Sequence, residues 1–397
     1  MAENSKVVIV GGCGRVGLPL GLALADSGHA VVLYDIDATA VDTVGAAKMP
    51  FDEEGAQEIL EATIANGTLR ASTDASVVSG VDHVVVVVGT PVDEHFNPDA
   101  EMVLRAVEDI TPYLRDGQHL VLRSTVYPGV TALVERLLDQ HGLALEVSYC
   151  PERIAEGKAL TELYSLPQIV SGRTPEALAA ANELFGSLTD QIVELDVEEA
   201  ELAKLITNTW RYIKFAAANQ LYMIANDFGL DYERIREGLA RDYPRAADLP
   251  GAGLAAGPCL LKDTMQLAAF NRNNFSLGHA SMQINEGLPL YLVDRIEQSY
   301  DLTSMTVGLL GMAFKAGSDD TRESLSYKMK RLLRLRARQV LCADPLVTTD
   351  PDLMPLAEVV QQADLLVIAA PHQEFADIDT QLPVIDIWNL LGDGVRV

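Results

Sequence analysis

The sequence predicts an α/β protein: two doubly wound parallel-sheet domains joined by a long central helix and a helical middle region. Three observations carry this expectation. Short β-branched runs alternate with helical periods from Lys6 to about residue 195, as parallel strands with crossover helices require. Residues 199–228 then keep helical periodicity without strong breakers. Strand–helix alternation resumes at Thr306. The expected division is therefore 1–195, 196–300 and 301–397.

Lys6 to Val10 is a β-branched run suited to a buried parallel strand. Gly11-Gly12-Cys13-Gly14-Arg15-Val16-Gly17 follows, Leu18 to Ser27 reads as a helix, and Gly28 stops it. Val31 to Tyr34 is a second strand ending at Asp35. His83 to Val88, Leu120 to Ser124, Leu145 to Cys150 and Gln168 to Ser171 read as further strands, with helices over Ala100 to Leu114 and Thr131 to His141. In the helix Glu199 to Phe228, Leu202, Leu205, Ile206, Trp210, Ile213, Ala217, Leu221 and Ile224 form one apolar stripe. At 1.5 Å per residue it extends ~45 Å, long enough to join domains and to dimerise. Helical segments continue to about Tyr300 around a loop from Tyr243 to Pro258. Thr306 to Leu310, Gln339 to Ala343, Leu365 to Ala369 and Val384 to Ile387 are strands of the second α/β unit, and Leu325 to Arg338 is a basic helix.

The 397 residues carry 30 basic and 57 acidic side chains, a formal charge of −27, and 48% hydrophobic residues. This is globular composition. The acidity argues against nucleic acid or an anionic lipid surface as the main partner. No run of ~18 uncharged apolar residues predicts a membrane span. The short polar N-terminus gives no sign of a signal peptide. Cys13, Cys150, Cys259 and Cys342 are widely spaced, so the expectation is a cytoplasmic, reduced protein without a metal site.

Gly12-x-Gly14-x-x-Gly17 sits between a strand and a helix, and Asp35 ends the next strand. This is the Rossmann dinucleotide fingerprint: Gly12 for the turn, Gly14 for backbone approach to a pyrophosphate, Gly17 for helix packing. Arg15 and Val16 complete the turn. Asp35 would accept from the adenosine ribose and disfavour a 2′-phosphate, so NAD is expected over NADP. A purely structural glycine turn is the alternative. Gly89-Thr90-Pro91 and Ser124-Thr125 end strands where open α/β sheets bind ligands, although each also fits a plain turn. Glu152 and Glu156 are four apart and would share a face on a helical turn; a solvated pair is the other reading. Lys204 and Asn208 lie i, i+4 on the long helix, beside its apolar stripe, and can steady an oxyanion or simply face solvent. Gly251 to Pro258 reads as a flexible small-residue loop opening into a helix at Cys259-Leu260-Leu261-Lys262-Asp263. A helix N-terminus favours a thiolate nucleophile, whereas a lone cysteine is more often packing. Lys315 to Ser324 mixes anion-binding groups with a helix start, which suits a nucleotide diphosphate or an ordinary capped loop.

These segments together resemble the UDP-glucose/GDP-mannose dehydrogenase family over nearly the whole chain, from Val7 to about Asp386. Tyr243-Pro244-Arg245-Ala246 and Leu249-Pro250-Gly251-Ala252-Gly253 are similar to the branch acting on UDP-N-acetylhexosamines. Leu261 and Leu325 stand where proline is frequent in the family. The resemblance implies a four-electron oxidation of a sugar C6 alcohol to a carboxylate with two NAD, in a homodimer binding a small-molecule nucleotide sugar. It implies Cys259 as nucleophile, Lys204 and Asn208 at the oxyanion, and Asp263 activating water. Thr125 and Glu152 would lie near the reacting centre. Gly12, Gly14, Arg15, Val16, Gly17, Asp35, Thr90, Pro91, Thr125, Lys262 and Arg322 would serve the cofactor. Glu152, Glu156, Lys204, Asn208, Arg245, Gly253 and Lys315 would serve the substrate, Arg245 reaching across the dimer. A one-step β-hydroxyacid dehydrogenase shares the N-terminal fold, long helix and Lys-x-x-x-Asn pair, and a non-catalytic NAD-binding sensor is the third reading. The Cys259 loop and the second α/β unit favour the first.

Overall fold

A computed structural model describes residues 5–90 and 101–397. The chain divides into two compact units, Met1–Thr207 and Asn208–Val397.

The first unit is a parallel sheet flanked by helices. Its elements are β1 (Lys6–Val10), α1 (Gly17–Asp26), β2 (Ala30–Tyr34), α2 (Ala38–Gly45), α3 (Ala56–Asn66), β3 (Leu69–Ser72), β4 (His83–Val86), α4 (Glu101–Ile110), β5 (His119–Leu122), α5 (Val130–Gln140), β6 (Glu146–Tyr149), α6 (Ala159–Ser165), β7 (Gln168–Val170), α7 (Pro175–Gly186) and β8 (Ile192–Glu194). Six strands pair in the order β3-β2-β1-β4-β5-β6, and β7 and β8 form a separate parallel pair. The sequence reading had no separate pair for Gln168–Ser171; burial and strand character do not distinguish which sheet a strand joins. Strand order reverses between β1 and β4, which places the ligand crevice of such a sheet at their carboxyl ends. Val7, Ile9, Leu33, Val85 and Val121 are buried from one face, and Val8, Val10, Val84, Val86, Leu120 and Leu122 from the other. Near-continuous apolar strands are what helices on both faces demand.

α8 (Val197–Asp227) runs through the boundary between the units. Its apolar stripe is only partly covered by the chain itself. Ile206, Trp210, Leu221 and Ile224 are 49, 56, 46 and 50% exposed, while Glu201, Lys204, Asn208, Tyr212, Asn219 and Tyr222 are buried. Periodicity marks an apolar face without saying whether the same chain covers it.

The second unit continues with α9 (Tyr232–Ala240), α10 (Leu260–Phe270), α11 (Ser276–Ser299), β9 (Thr306–Leu310), α12 (Leu325–Arg334), β10 (Gln339–Ala343), α13 (Leu356–Gln362), β11 (Leu365–Ile368) and β12 (Val384–Asp386). Its parallel sheet has the order β10-β9-β11-β12. The basic helix is shorter than expected and stops at Arg334. Asp344, just after β10, holds the same place as Asp35 after β2, yet it behaves differently. Asp344 Oδ2 accepts from the N–H groups of Met312 (2.6 Å) and Ala313 (2.9 Å), and Oδ1 from those of Leu346 and Val347 (2.9 Å each). Against burial, the His372 imidazole alongside and these backbone donors hold its carboxyl well below the usual range.

At the amino edge of the first sheet, His83 and His119 are buried opposite each other, Nδ1 to Nδ1 3.0 Å, and His119 Nε2 meets Ser148 Oγ at 2.8 Å. Burial keeps both imidazoles neutral, pushing His119 down to about 3 and His83 below its ordinary value, with Asp82 and Glu183 opposing the shift at His83 and His29 reinforcing it. The folded pKa lies below the unfolded one. The contribution is therefore intact above the unfolded value near 6.5 and is lost as pH falls from there toward about 3. His119→Gln should flatten the acid side of the Tm–pH curve, whose slope carries about 1.4 kcal/mol per pH unit for one such group; an unchanged acid limb would contradict this assignment.

Candidate active site

In the first unit the glycine turn leaves β1 and enters α1. Gly11, rather than Gly12, supplies the left-handed residue, with φ +78°, and a Cβ there would lie 2.2 Å from the Val87 carbonyl oxygen. Gly12 is fixed by packing instead, since its Cβ would lie 2.8 Å from Leu33 Cα. A Cβ on Gly17 would come 2.4 Å from the Gly11 carbonyl oxygen. Gly14 is exposed, and among the described residues beyond its chain neighbours the nearest atom to its Cβ position is the Gly11 carbonyl oxygen at 3.7 Å. Protein packing therefore leaves Gly14 open, as backbone approach by a pyrophosphate requires. Asp35 accepts from the Cys13 N–H at 3.0 Å and the Asp37 N–H at 3.1 Å and stays half-buried. A carboxylate has about four acceptor sites, so two remain for a ribose. The Arg15 guanidinium lies 5.0 Å from the Phe51 ring centroid, and Val16 is the N-cap of α1. The turn thus fits a dinucleotide.

The parallel sheet brings Thr90 and Thr125 to the same carboxyl edge. Thr90 is buried beyond β4, and Thr125 is half-buried beyond β5. The Val88 N–H donates to Ser124 Oγ at 2.8 Å, tying the two loops together. Pro91 lies outside the described residues.

Residues 151–157 are not helical. Glu152 and Glu156 therefore do not share a helical face, contrary to the spacing argument. Pro151 begins a loop organised by buried polar groups instead. Arg123 Nε and Nη2 donate to Glu152 Oε2 at 3.0 and 2.5 Å, and Glu152 Oε1 accepts from the Arg153 and Ile154 N–H groups. Arg123 also donates to Gln168 and the Cys150 carbonyl and lies over Phe185. Glu156 lies in the same loop, which Glu53 pins by accepting from the Gly157 and Ala159 N–H groups.

Two organising residues escaped the sequence reading. Arg123 was visible only as a charge inside an apolar strand run. Glu201 accepts from Gly129 N (2.7 Å), Thr131 N (2.8 Å) and Thr131 Oγ1 (2.7 Å), capping α5 and fixing the loop that carries Thr125. Burial pushes its carboxyl up while these donors oppose the shift. Lys204 follows on the same helix and Asn208 one turn later, both buried.

In the second unit, Cys259 is the N-cap of α10 and is exposed. Its carbonyl accepts from the N–H of Asp263, one turn on. Asp263 is fully buried, with Lys262 Nζ 2.6 Å from Oδ1 and Asn208 Nδ2 donating to Oδ2 at 2.5 Å. The structure therefore assembles Asn208, Lys262, Asp263 and Cys259. Ala252, Gly253, Leu254 and Ala255 of the approach loop are buried. Gly257 has φ +104°, and its Cβ would lie 2.6 Å from the Phe314 ring. Beyond β9, Lys315 Nζ is 5.7 Å from the Phe314 centroid, and Arg322 pairs with Asp320 at 2.6 Å. Ser324 caps α12 by accepting from the Ser326 N–H. Arg245 is exposed over the Tyr243 ring, 5.0 Å from its centroid.

Residues 5–189 match the NAD binding domain of the UDP-glucose/GDP-mannose dehydrogenase family, 198–287 its central domain, and 308–393 its UDP binding domain. A UDP-glucose 6-dehydrogenase of Haloferax volcanii is 30% identical over 97% of this chain and 96% of its own. The chain belongs to this family. A UDP-N-acetyl-D-mannosamine dehydrogenase of Pyrococcus horikoshii is 29% identical, covering 98% of this chain and 93% of its own. The solved UDP-glucose dehydrogenase of Pyrobaculum islandicum superposes with a TM-score of 0.91 at 25% identity, covering 100% of this chain and 98% of that one. As a family member the chain is an NAD-dependent oxidoreductase with an NAD-binding and a UDP-binding domain. Among the described residues no helix is long and apolar enough to cross a membrane.

Thiol reactivity separates the four cysteines. Burial, with Asp35 and Asp37 nearby, pushes the Cys13 thiol up to about 12. Burial takes Cys150 to about 12 and Cys342 to about 11. Reactivity follows thiolate character and access. Iodoacetamide at pH 8 should therefore label one thiol per native chain, and peptide mass mapping should find it at Cys259; labelling at any of the other three would refute this.

Proposed function

We propose that the chain oxidises the C6 hydroxyl of a UDP-hexose to the carboxylate through covalent intermediates on Cys259. The observation that carries this reading is the exposed Cys259 at a helix N-cap, one turn before the buried Asn208–Asp263–Lys262 assembly. Residues 1–195 take the cofactor, 196–300 carry the nucleophile and the dimer surface, and 301–397 take the nucleotide.

NAD, when bound, supplies the acceptor for one hydride in each of two oxidations. After the first, the C6 aldehyde receives the Cys259 sulfur, forming a C–S bond and a thiohemiacetal. Lys204 and Asn208 stabilise the oxygen as it gains charge. Loss of the second hydride leaves a thioester. Water, helped by Asp263, breaks the C–S bond, returning the thiol and releasing the carboxylate. Thr125 and Glu152 serve the reacting centre, and Glu156, Gly253 and Lys315 the substrate. Gly12, Gly14, Arg15, Val16, Gly17, Asp35, Thr90 and Arg322 hold the cofactor side with Lys262, whose ammonium also balances Asp263. Cationic side chains suit two diphosphate ligands in a protein of net charge −27.

The test is stoichiometry on UDP-N-acetylmannosamine, UDP-N-acetylglucosamine and UDP-glucose, with product mass. Two NADH per sugar and a carboxylate are expected, and Cys259→Ser should form no carboxylate. One NADH with a ketone product would overturn the reading in favour of a β-hydroxyacid dehydrogenase.

We also propose a homodimer formed through the outer stripe of α8. Ile206, Trp210, Leu221 and Ile224 are half-exposed on one helix face and Phe228 is 78% exposed, an apolar patch of the kind that marks an interface. Arg245, also exposed, is then available to a neighbouring subunit. Trp210→Glu should halve the mass measured by sedimentation; a wild-type protein that sediments as a monomer defeats the proposal.

A further inference from the structure

Gly253 is held from two sides. Asn219, fully buried on α8, bonds both polar atoms of its backbone: Nδ2 donates to the Gly253 carbonyl at 3.0 Å, and the Gly253 N–H donates to Oδ1 at 2.9 Å. Asn285 accepts from Asn219 at 2.9 Å and donates to the Tyr212 carbonyl at 3.0 Å, which fixes the amide orientation. On the other side lies the indole of Trp388. A Cβ on Gly253 would be 2.1 Å from Trp388 Cζ3.

Trp388 belongs to the carboxyl edge of the second sheet. Its Nε1 donates to the Ala369 carbonyl, just beyond β11, at 3.1 Å, and its backbone N–H to Asp386 Oδ1, at the end of β12, at 3.1 Å. Gly257 lies in the same way against Phe314, beyond β9. Two of the three glycines of the approach to Cys259, Gly253 and Gly257, therefore sit under aromatic rings from the edge at which open α/β sheets bind ligands. Because Asn219 clamps the loop backbone and its neighbours are buried, a shift of the indole cannot be absorbed by slack in the loop.

We propose that Trp388 is a positioning residue that couples nucleoside diphosphate binding on the second sheet to the Gly251–Pro258 loop and so to Cys259. The proposal rests on the reading above, that the second sheet takes the UDP moiety.

The test measures the rate of Cys259 modification by iodoacetamide in the full-length protein, with and without saturating UDP, while calorimetry follows UDP binding. UDP has no sugar to shield the thiol. In the wild type, UDP should change the rate roughly fivefold or more, the usual scale of coupling between sites. Trp388→Ala should still bind UDP but lose the response. Trp388→Phe, which keeps a ring and guards against misfolding of the alanine variant, should retain a reduced response. A full response in Trp388→Ala overturns the coupling, and in Trp388→Phe it does so if the alanine variant fails to fold. A wild-type rate indifferent to bound UDP also overturns it while leaving the nucleotide reading intact. Failure of the wild type to bind UDP overturns both.

Discussion

A buried carboxylate dictates the layout around the nucleophile. Asp263 is buried, so its charge must be balanced within the protein. Lys262 supplies the countercharge from the adjacent position and Asn208 a donor from α8. The Asn208 bond ties α10 to α8, and Cys259 stands at the exposed N-terminal end of α10. Removing Lys262 breaks a buried ion pair, which costs about 3–5 kcal/mol, and removing Asn208 leaves a buried carboxylate oxygen short of a donor, which costs about 1–3 kcal/mol. Charge balance therefore keeps the thiol and its neighbours in register.

The sequence was most legible where backbone geometry leaves no choice. The turn from Gly11 to Gly17, the strand ending at Asp35 and the cysteine at a helix start follow from spacing, because only certain residues meet those backbone demands. The error over Gly12 is instructive: the pattern marks where glycine is needed, but whether φ or a neighbour such as Leu33 imposes it depends on packing. The family resemblance held over all three matched regions.

Long-range polar pairing was not legible. Arg123 with Glu152 and Glu201 with Gly129 and Thr131 join residues 29 to 72 positions apart. No local period encodes them. Glu152 and Glu156 misled for the same reason, since a four-residue spacing implies a shared face only if the chain is helical there. The α8 stripe was legible as an apolar face, but a helix has two faces that can be buried, one by its own chain and one by a partner, and hydrophobicity alone does not assign them. Polar residues such as Asn208 and Asn219 mark the internally covered face because it also carries hydrogen bonds to Asp263 and Gly253.

Asp35 and Asp344 occupy the same corner of their respective sheets. Asp344 has spent its acceptor capacity on four backbone N–H groups and lies sealed beside His372. Asp35 binds two and stays half-open. Two equivalent corners thus present different carboxylates, one with acceptor capacity to spare and one saturated. One corner spends its carboxylate on holding its own loops together, and the other leaves part of it to solvent, so the same fold position is structural in one sheet and chemically available in the other.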